Sequence, residues 1–285
     1  MIKVGVLLDC LLLPFTEAVE TAAGLGAEGV QFYAVYEGTA PWIIPEQDQK
    51  QLKQIIRSSG LELSALCGEL GGHGFERPQE NREKIEKTKQ IMDMAALLET
   101  SVVTGHVGVV PDPGHSRYKT MAEAMREIAS YGKERGVFYG IETGAEPSLV
   151  LRKFIEDVGE DNLKVNIDPA NLAMVQGEEA GRAVRNLEGL IVHAHAKDGI
   201  MIKKPDPEVL YGAFAEGTSE RLPVSDYIEE KPLGKGDVDF SSYLQALKSI
   251  DYSGHIVVER ESGTDRKGEI GEGVSLLREK LEEVI

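Results

Sequence analysis

Four stretches of this chain end an apolar run on a side chain that can bind a cation or move a proton. "YGIETG" brings in Glu142, "VNIDPANL" Asp168, "HAHAKDG" His195 and "IVVERES" Glu259. Asp168 follows Glu142 by 26 residues, His195 follows Asp168 by 27, and Glu259 follows His195 by 64. Two near-equal steps and one long one fit a single repeating structural unit with one insertion. Bare carboxylates converging with an imidazole would repel one another, and a divalent cation resolves that. A set of oxygens and one imidazole nitrogen, without thiolate, suits Mn²⁺, Mg²⁺, Co²⁺ or Zn²⁺. One acidic residue at a strand end is often only a helix cap; four in register call for a metal.

The elements that must hold these groups are legible. Apolar, β-branched runs at Lys3–Leu8, Gly29–Tyr33, Glu62–Leu66, Ser101–Gly105, Val137–Ile141, Leu163–Ile167, Leu190–Ala194 and His255–Val258 read as strands covered on both faces. Amphipathic stretches such as "EQDQKQLKQIIRSSG" and "SRYKTMAEAMREIASYGKERG" lie between them, several ending in glycine or a cationic turn. Eight strand–helix units in 285 residues give the count of an α/β (β/α)8 TIM barrel, expected as one domain over 1–285. The first strand runs into "DCLLLPF", without the glycine-rich turn of a dinucleotide-binding sheet. From Lys197 to Phe240 the connection is long and rich in Pro, Gly and charge, and is expected to be a lid; Tyr211, Phe214 and Tyr227 suggest that it packs on something.

In such a barrel the active site lies at the C-terminal ends of the strands. Strand three then adds Glu69 and His73, and strand four His106. Side chains alternate along a strand, so His193, His195 and Lys197 share the inner face while Ala194 and Ala196 share the outer one. His195 lies nearer the rim and is assigned to the metal; His193, one layer deeper, is read as a hydrogen-bonded interior histidine. Lys197 and Asp198 fall at the rim, where they are expected to contact or support substrate.

Composition narrows the alternatives. A net charge of −17 repels nucleic-acid phosphates at long range and argues against a DNA or RNA partner. No apolar run approaches the ~18 residues of a membrane span. "MIKVGVLLDCLLLPF" lacks the basic start and cleavage site of a signal peptide, so a buried first strand and a cytoplasmic location are expected. Cys10 and Cys67 are too few for a disulfide scaffold and are read as small buried residues. The sequence leaves open whether the chain forms a homo-oligomer.

With these motifs in place the chain resembles the xylose-isomerase-like TIM barrels, a superfamily of sugar and sugar-phosphate isomerases and epimerases, inosose dehydratases and endonuclease IV. "ETGAE", "NIDPANL", "HAHAKD", "GKGDVDF" and "VVERE" carry the match, with "SALCGELGGHGF" and "TGHVGVVP" adding to it. Glu142, Asp168, His195 and Glu259 look like its metal quartet. The resemblance implies one divalent cation, with manganese among those it allows. It also implies that Glu142 and Glu259 act as acid–base catalysts on the two faces of a metal-stabilised enediolate. The implied activity is a sugar or sugar-phosphate isomerase/epimerase on a small carbohydrate, with an inosose-dehydratase-like lyase as the alternative. Asn171 departs from the pattern: the epimerases and the nuclease carry histidine there, and an amide is a poor metal ligand that can still hydrogen-bond a substrate hydroxyl. His73 and His106 resemble two positions of the nuclease's zinc set, which Asn171 breaks, so they are read as substrate contacts at the rim. An AP endonuclease is therefore disfavoured, and so is a sugar-binding protein without catalysis, because binding needs no second base. Lys197, Lys203, Lys204, Lys235, Arg260, Arg266 and Lys267, with Gly268, Gly271 and Gly273 expected just before the final helix, could serve a phosphate or simply form a charged loop.

Overall fold

Short β-branched runs with no polar face need cover on both sides, and closing them into a ring with helices outside provides it. The computed structural model describes residues 1–218 and 223–284. Its strands are β1 (Lys3–Leu7), β2 (Gly29–Tyr33), β3 (Glu62–Cys67), β4 (Val102–Gly105), β5 (Phe138–Glu142), β6 (Leu163–Ile167), β7 (Ile191–Ala196), β8 (Asp198–Met201), β9 (Ile228–Lys231) and β10 (His255–Val258). β1 to β7 and β10 pair in parallel as a closed barrel in which β10 sits between β7 and β1; β8 and β9 form a separate antiparallel ribbon. All eight expected strands are present. β5 and β7 run further than expected, so that Glu142 and His195 lie inside their strands.

The helices are α1 (Phe15–Gly24), α2 (Glu46–Ser58), α3 (Pro78–Leu98), α4 (Ser116–Arg135), α5 (Ser148–Val158), α6 (Pro169–Asn171), α7 (Ala180–Asn186), α8 (Pro207–Ala215), α9 (Phe240–Ser249) and α10 (Arg266–Val284). α4 ends as its sequence suggests, with Lys133 and Arg135 in the last turn and Gly136 in the left-handed region. α6 runs straight into a π-turn at Leu172–Gln176, the kind of widened turn often found beside a functional site. One expectation fails at the end of the chain. Gly268, Gly271 and Gly273 lie within α10 rather than before it, because the helix starts at Arg266.

The inward direction of β7 is fixed by contacts across the barrel. His193 Nε2 lies 3.3 Å from Ser64 Oγ on β3, and His195 Nε2 lies 2.9 Å from Gln31 Oε1 on β2. Neither strand neighbours β7, so both imidazoles project into the lumen. Ala194 and Ala196 face outward and are fully buried beneath the helices. His193 Nδ1 is 3.0 Å from Asn166 Oδ1, as expected of an interior histidine.

The long connection after β7 is built around β8, α8 and β9, and its residues 219–222 lie outside those described. Asp198 pins it. Its buried carboxylate accepts from the backbone N–H groups of Gly199, Gly234, Gly236 and Val238 at 2.8–3.1 Å. A Cβ on Gly236 would stand 2.2 Å from Asp198 Oδ1, so only glycine lets the backbone come this close. No described helix is long and apolar enough to cross a membrane.

Candidate active site

The four ligand-type residues converge. One atom from each of Glu142, Asp168, His195 and Glu259 lies within 4.8 Å of the others, and all four residues are buried. His195 Nδ1 is 2.6 Å from Glu259 Oε2, 3.5 Å from Asp168 Oδ2 and 3.7 Å from Glu142 Oε1. Burying three carboxylates this close is costly unless positive charge joins them. Asp168 Oδ2, His195 Nδ1 and Glu259 Oε2 are buried and have no hydrogen-bond partner outside this cluster. Three unpartnered donor atoms aimed at one point, in an oxygen-plus-imidazole set, fit a divalent cation.

Neighbouring residues orient each ligand. Gln31 is fully buried; its Nε2 donates to Thr104 Oγ1 at 2.9 Å and its Oε1 faces His195 Nε2. Asn166 Nδ2 also approaches Nε2, at 3.2 Å, but the Gln31 acceptor at 2.9 Å is nearer and favours the imidazole proton on Nε2, with the Nδ1 lone pair toward the carboxylates. Glu142 accepts from Asn166 Nδ2 at Oε2 and from Asn171 Nδ2 at Oε1, both at 3.2 Å. Gly144, at φ +135, allows this approach, since a Cβ there would lie 2.3 Å from that of Asn171. Thr143 ties the ends of β5 and β6 by donating to the Asp168 carbonyl and accepting from its N–H. From α9, Tyr243 reaches the carbonyls of Ile167 and His195. Lys197 bridges Glu259 Oε1 at 3.1 Å and Glu261 Oε2 at 2.5 Å.

These surroundings set the ionisation of the two glutamates apart. Burial pushes the Glu142 carboxyl up to about 7; the nearby His106 and His195 pull against this, and the charges of Glu259 and Asp168 add to it. Burial also opposes ionisation of Glu259, but Lys197 and His195 outweigh it and hold that carboxyl well below its ordinary range. His106 is held as a cation up to about 10: burial opposes the charge, and Glu142 and Glu69 overcome it.

The cluster lies at the floor of a cleft of about 900 Å³. Of the remaining residues expected at the site, His73, His106, Asn171 and Lys197 line this cleft. His106 is anchored by Glu69, which accepts from its backbone N–H at 2.8 Å and lies 3.2 Å from Nδ1. His73 sits at the mouth, its Nε2 3.4 Å from Glu216. Asp198 does not line the cleft: its carboxylate is turned away into the loop amides that it pins. Tyr211 and Phe214 of α8 form part of the wall, with Tyr211 packed 5.9 Å from the His106 ring, whereas Tyr227 packs beneath Lys203.

Sequence reading missed Gln31, Asn166, Tyr243 and Glu261. Two of them carried a signal. Asn166 shares strand parity with Asp168, and Gln31 is a lone amide in the otherwise apolar strand "GVQFY". Tyr243 on its helix and Glu261 in its loop had none.

The model of the xylose isomerase-like TIM barrel family matches residues 19–280. The inosose dehydratase of Clostridium perfringens is 22% identical over 234 residues, covering 75% of this chain and 74% of that protein. A xylose isomerase domain protein from Planctomyces limnophilus superposes with a TM-score of 0.79 at 22% identity, over 99% of this chain and 97% of that one. An L-ribulose 3-epimerase superposes with a TM-score of 0.75 at 18% identity, over 100% and 96%. At these identities the structural likeness speaks to the fold.

Proposed function

Since the chain belongs to the xylose isomerase-like TIM barrels, we propose that it is a divalent-metal-dependent sugar isomerase or epimerase, formed by residues 1–285 as one barrel domain. The reaction is proton transfer at a carbon next to a carbonyl. The observation that carries this reading is the pair Glu142 and Glu259, two buried carboxylates that share one cation-competent cluster yet have different partners. Glu142, Asp168, His195 and Glu259 would hold the ion. When bound, the cation supplies Lewis-acid polarisation of the substrate carbonyl and the hydroxyl beside it.

The chain's own groups do the rest. Lys197 keeps Glu259 ionised and ready to take a proton. Glu142, fixed by two amide donors, is placed to return one. Delivery to the opposite face of the same carbon inverts it, and delivery to the neighbouring carbon exchanges aldose for ketose. His106, Asn171 and His73 offer hydrogen bonds to substrate hydroxyls, and Tyr211 and Phe214 shield the site from water.

The match to an inosose dehydratase favours a second reading, in which the same proton abstraction is followed by loss of a hydroxyl group. His106, 3.9 Å from Glu142, is then the group placed to protonate the departing oxygen. Solvent-deuterium incorporation into a panel of ketoses and a keto-inositol, with and without Mn²⁺, separates the two. Exchange with retention of every hydroxyl supports the isomerase; exchange with dehydration supports the lyase. Absence of exchange in metal-loaded protein sinks both. Glu259→Gln is expected to fold, to lose at least ~10²-fold in exchange rate and to hold less metal; unchanged metal content and turnover would refute the assignment.

A further inference from the structure

We infer, resting on the function proposed above, that the substrate is an uncharged polyhydroxylated carbonyl compound, and that this cleft rejects phosphate esters and carboxylic acids of the same skeleton. The wall is strongly acidic: among the described residues, eight glutamates but only three lysine or arginine side chains line it. The three are committed, and the His106 ring, the other cationic group of the wall, is held against Glu69 at 3.2 Å. Lys197, 5% exposed, lies between Glu259 and Glu261. Arg117 forks onto Glu208 at 3.0 and 2.5 Å and also reaches Glu76 at 2.6 Å. Arg77 is the loosest, 3.4 Å from Glu80 and 3.8 Å from Glu216. An incoming anion would have to break one of these pairs and leave a glutamate uncompensated beside it.

The usual phosphate position of the barrel also carries a carboxylate of its own. That position is built from the last two strand-end loops and a helix N-terminus. Here Asp265 places its own carboxylate there, accepting from the Gly268 N–H at 3.1 Å. The cations that the sequence offered to a phosphate are elsewhere. Lys203 stacks over Tyr227, and Arg260 is 4% exposed, tied to Glu230 and Glu269. Lys204, Lys235, Arg266 and Lys267 do not line the cleft. What faces the interior besides glutamates is suited to hydroxyls and ring faces: His73, His106, Asn171, Tyr33 and Tyr211.

Titration calorimetry on the Mn²⁺-loaded protein with matched pairs tests this. The pairs are a free ketohexose with its 1- and 6-phosphates, and an aldohexose with its own uronic acid, each also followed by deuterium exchange. The neutral member is expected to bind roughly tenfold or more tightly than its anionic counterpart, and millimolar inorganic phosphate is expected to leave both binding and melting temperature unchanged. Equal or tighter binding of a phosphate ester, or protection by inorganic phosphate, overturns the inference even where exchange supports the proposed reaction. Selective binding of neutral sugars without exchange defeats the proposed reaction and upholds the inference.

Discussion

Gln31 decides which nitrogen of His195 is free, and it does so from the opposite side of the barrel. Gln31→Leu is expected to leave His195 Nε2–H and Thr104 without their partner and to weaken metal binding by about 10–100-fold. Gln31→Glu, which keeps an acceptor at that place, should retain most of the affinity; chelator competition measures both, and equal affinity in all three proteins would remove Gln31 from this role. Glu146 makes a separate point about single residues. It is 4% exposed, and burial pushes its carboxyl up to about 7 despite the Val110 N–H. Its folded-state pKa is therefore raised, so the stability it contributes is full below the ordinary value of about 4.5 and is lost as pH rises through 7. Glu146→Gln should match the parent protein in unfolding free energy at pH 4.5 and exceed it at pH 8 by about 1–3 kcal/mol; a constant offset across that range would count against the assignment. At this scale the metal quartet was readable because strand ends repeat at near-constant spacing. Its supports were less so: Gln31 shows only as a lone amide in an apolar strand, and the contacts of Gln31 and Tyr243 with the site span sequence distances that no local pattern encodes.

Among the elements, α8 bears directly on access. Its start is tied by Glu208 to Arg117 and its end by Glu216 to His73 and Arg77, so it lies over the cleft like a bar fastened at both ends. Glu208→Gln removes one fastening and leaves Arg117 paired with Glu76. An exposed pair contributes about 0.2–1 kcal/mol, up to about fivefold in an opening equilibrium. Faster limited proteolysis within the 198–231 segment and a raised KM at unchanged metal content are the expected results; parent-like cleavage and KM would show that α8 is held by its apolar contacts alone. That this connection would cover the site was legible from its length and aromatic residues. Its ribbon was not, since Asp198–Met201 and Ile228–Lys231 are four residues each and pair across an intervening helix. The role expected of Asp198 also went astray, because position alone does not tell whether a carboxylate turns toward the cleft or toward loop amides.

Across the whole molecule, the metal quartet draws on β5, β6, β7 and β10, half of the barrel's circumference, so occupancy of the site should brace the ring. Metal at about 100 times its Kd adds ~2.7 kcal/mol of stability by mass action. Removing it with a chelator is expected to lower Tm by roughly 4–5 °C for a chain of this size. Calorimetry checks this, with Glu259→Gln expected to show a much smaller difference. The circular order of strands was legible from eight apolar runs; their closure follows from the right-handed twist and the need to cover both faces. The Asp198 pin has one more implication. It gathers the residues just inside the insertion and those at 234–238 onto one carboxylate, so both ends of the insertion stay fixed whatever its sequence. The segment between is thereby a cassette. Glu230 apart, which holds Arg260 and the Glu261 N–H beside Glu259, changes in its length or sequence are expected to retune which molecules are admitted while β7 and β10 continue to present His195 and Glu259 at the same place.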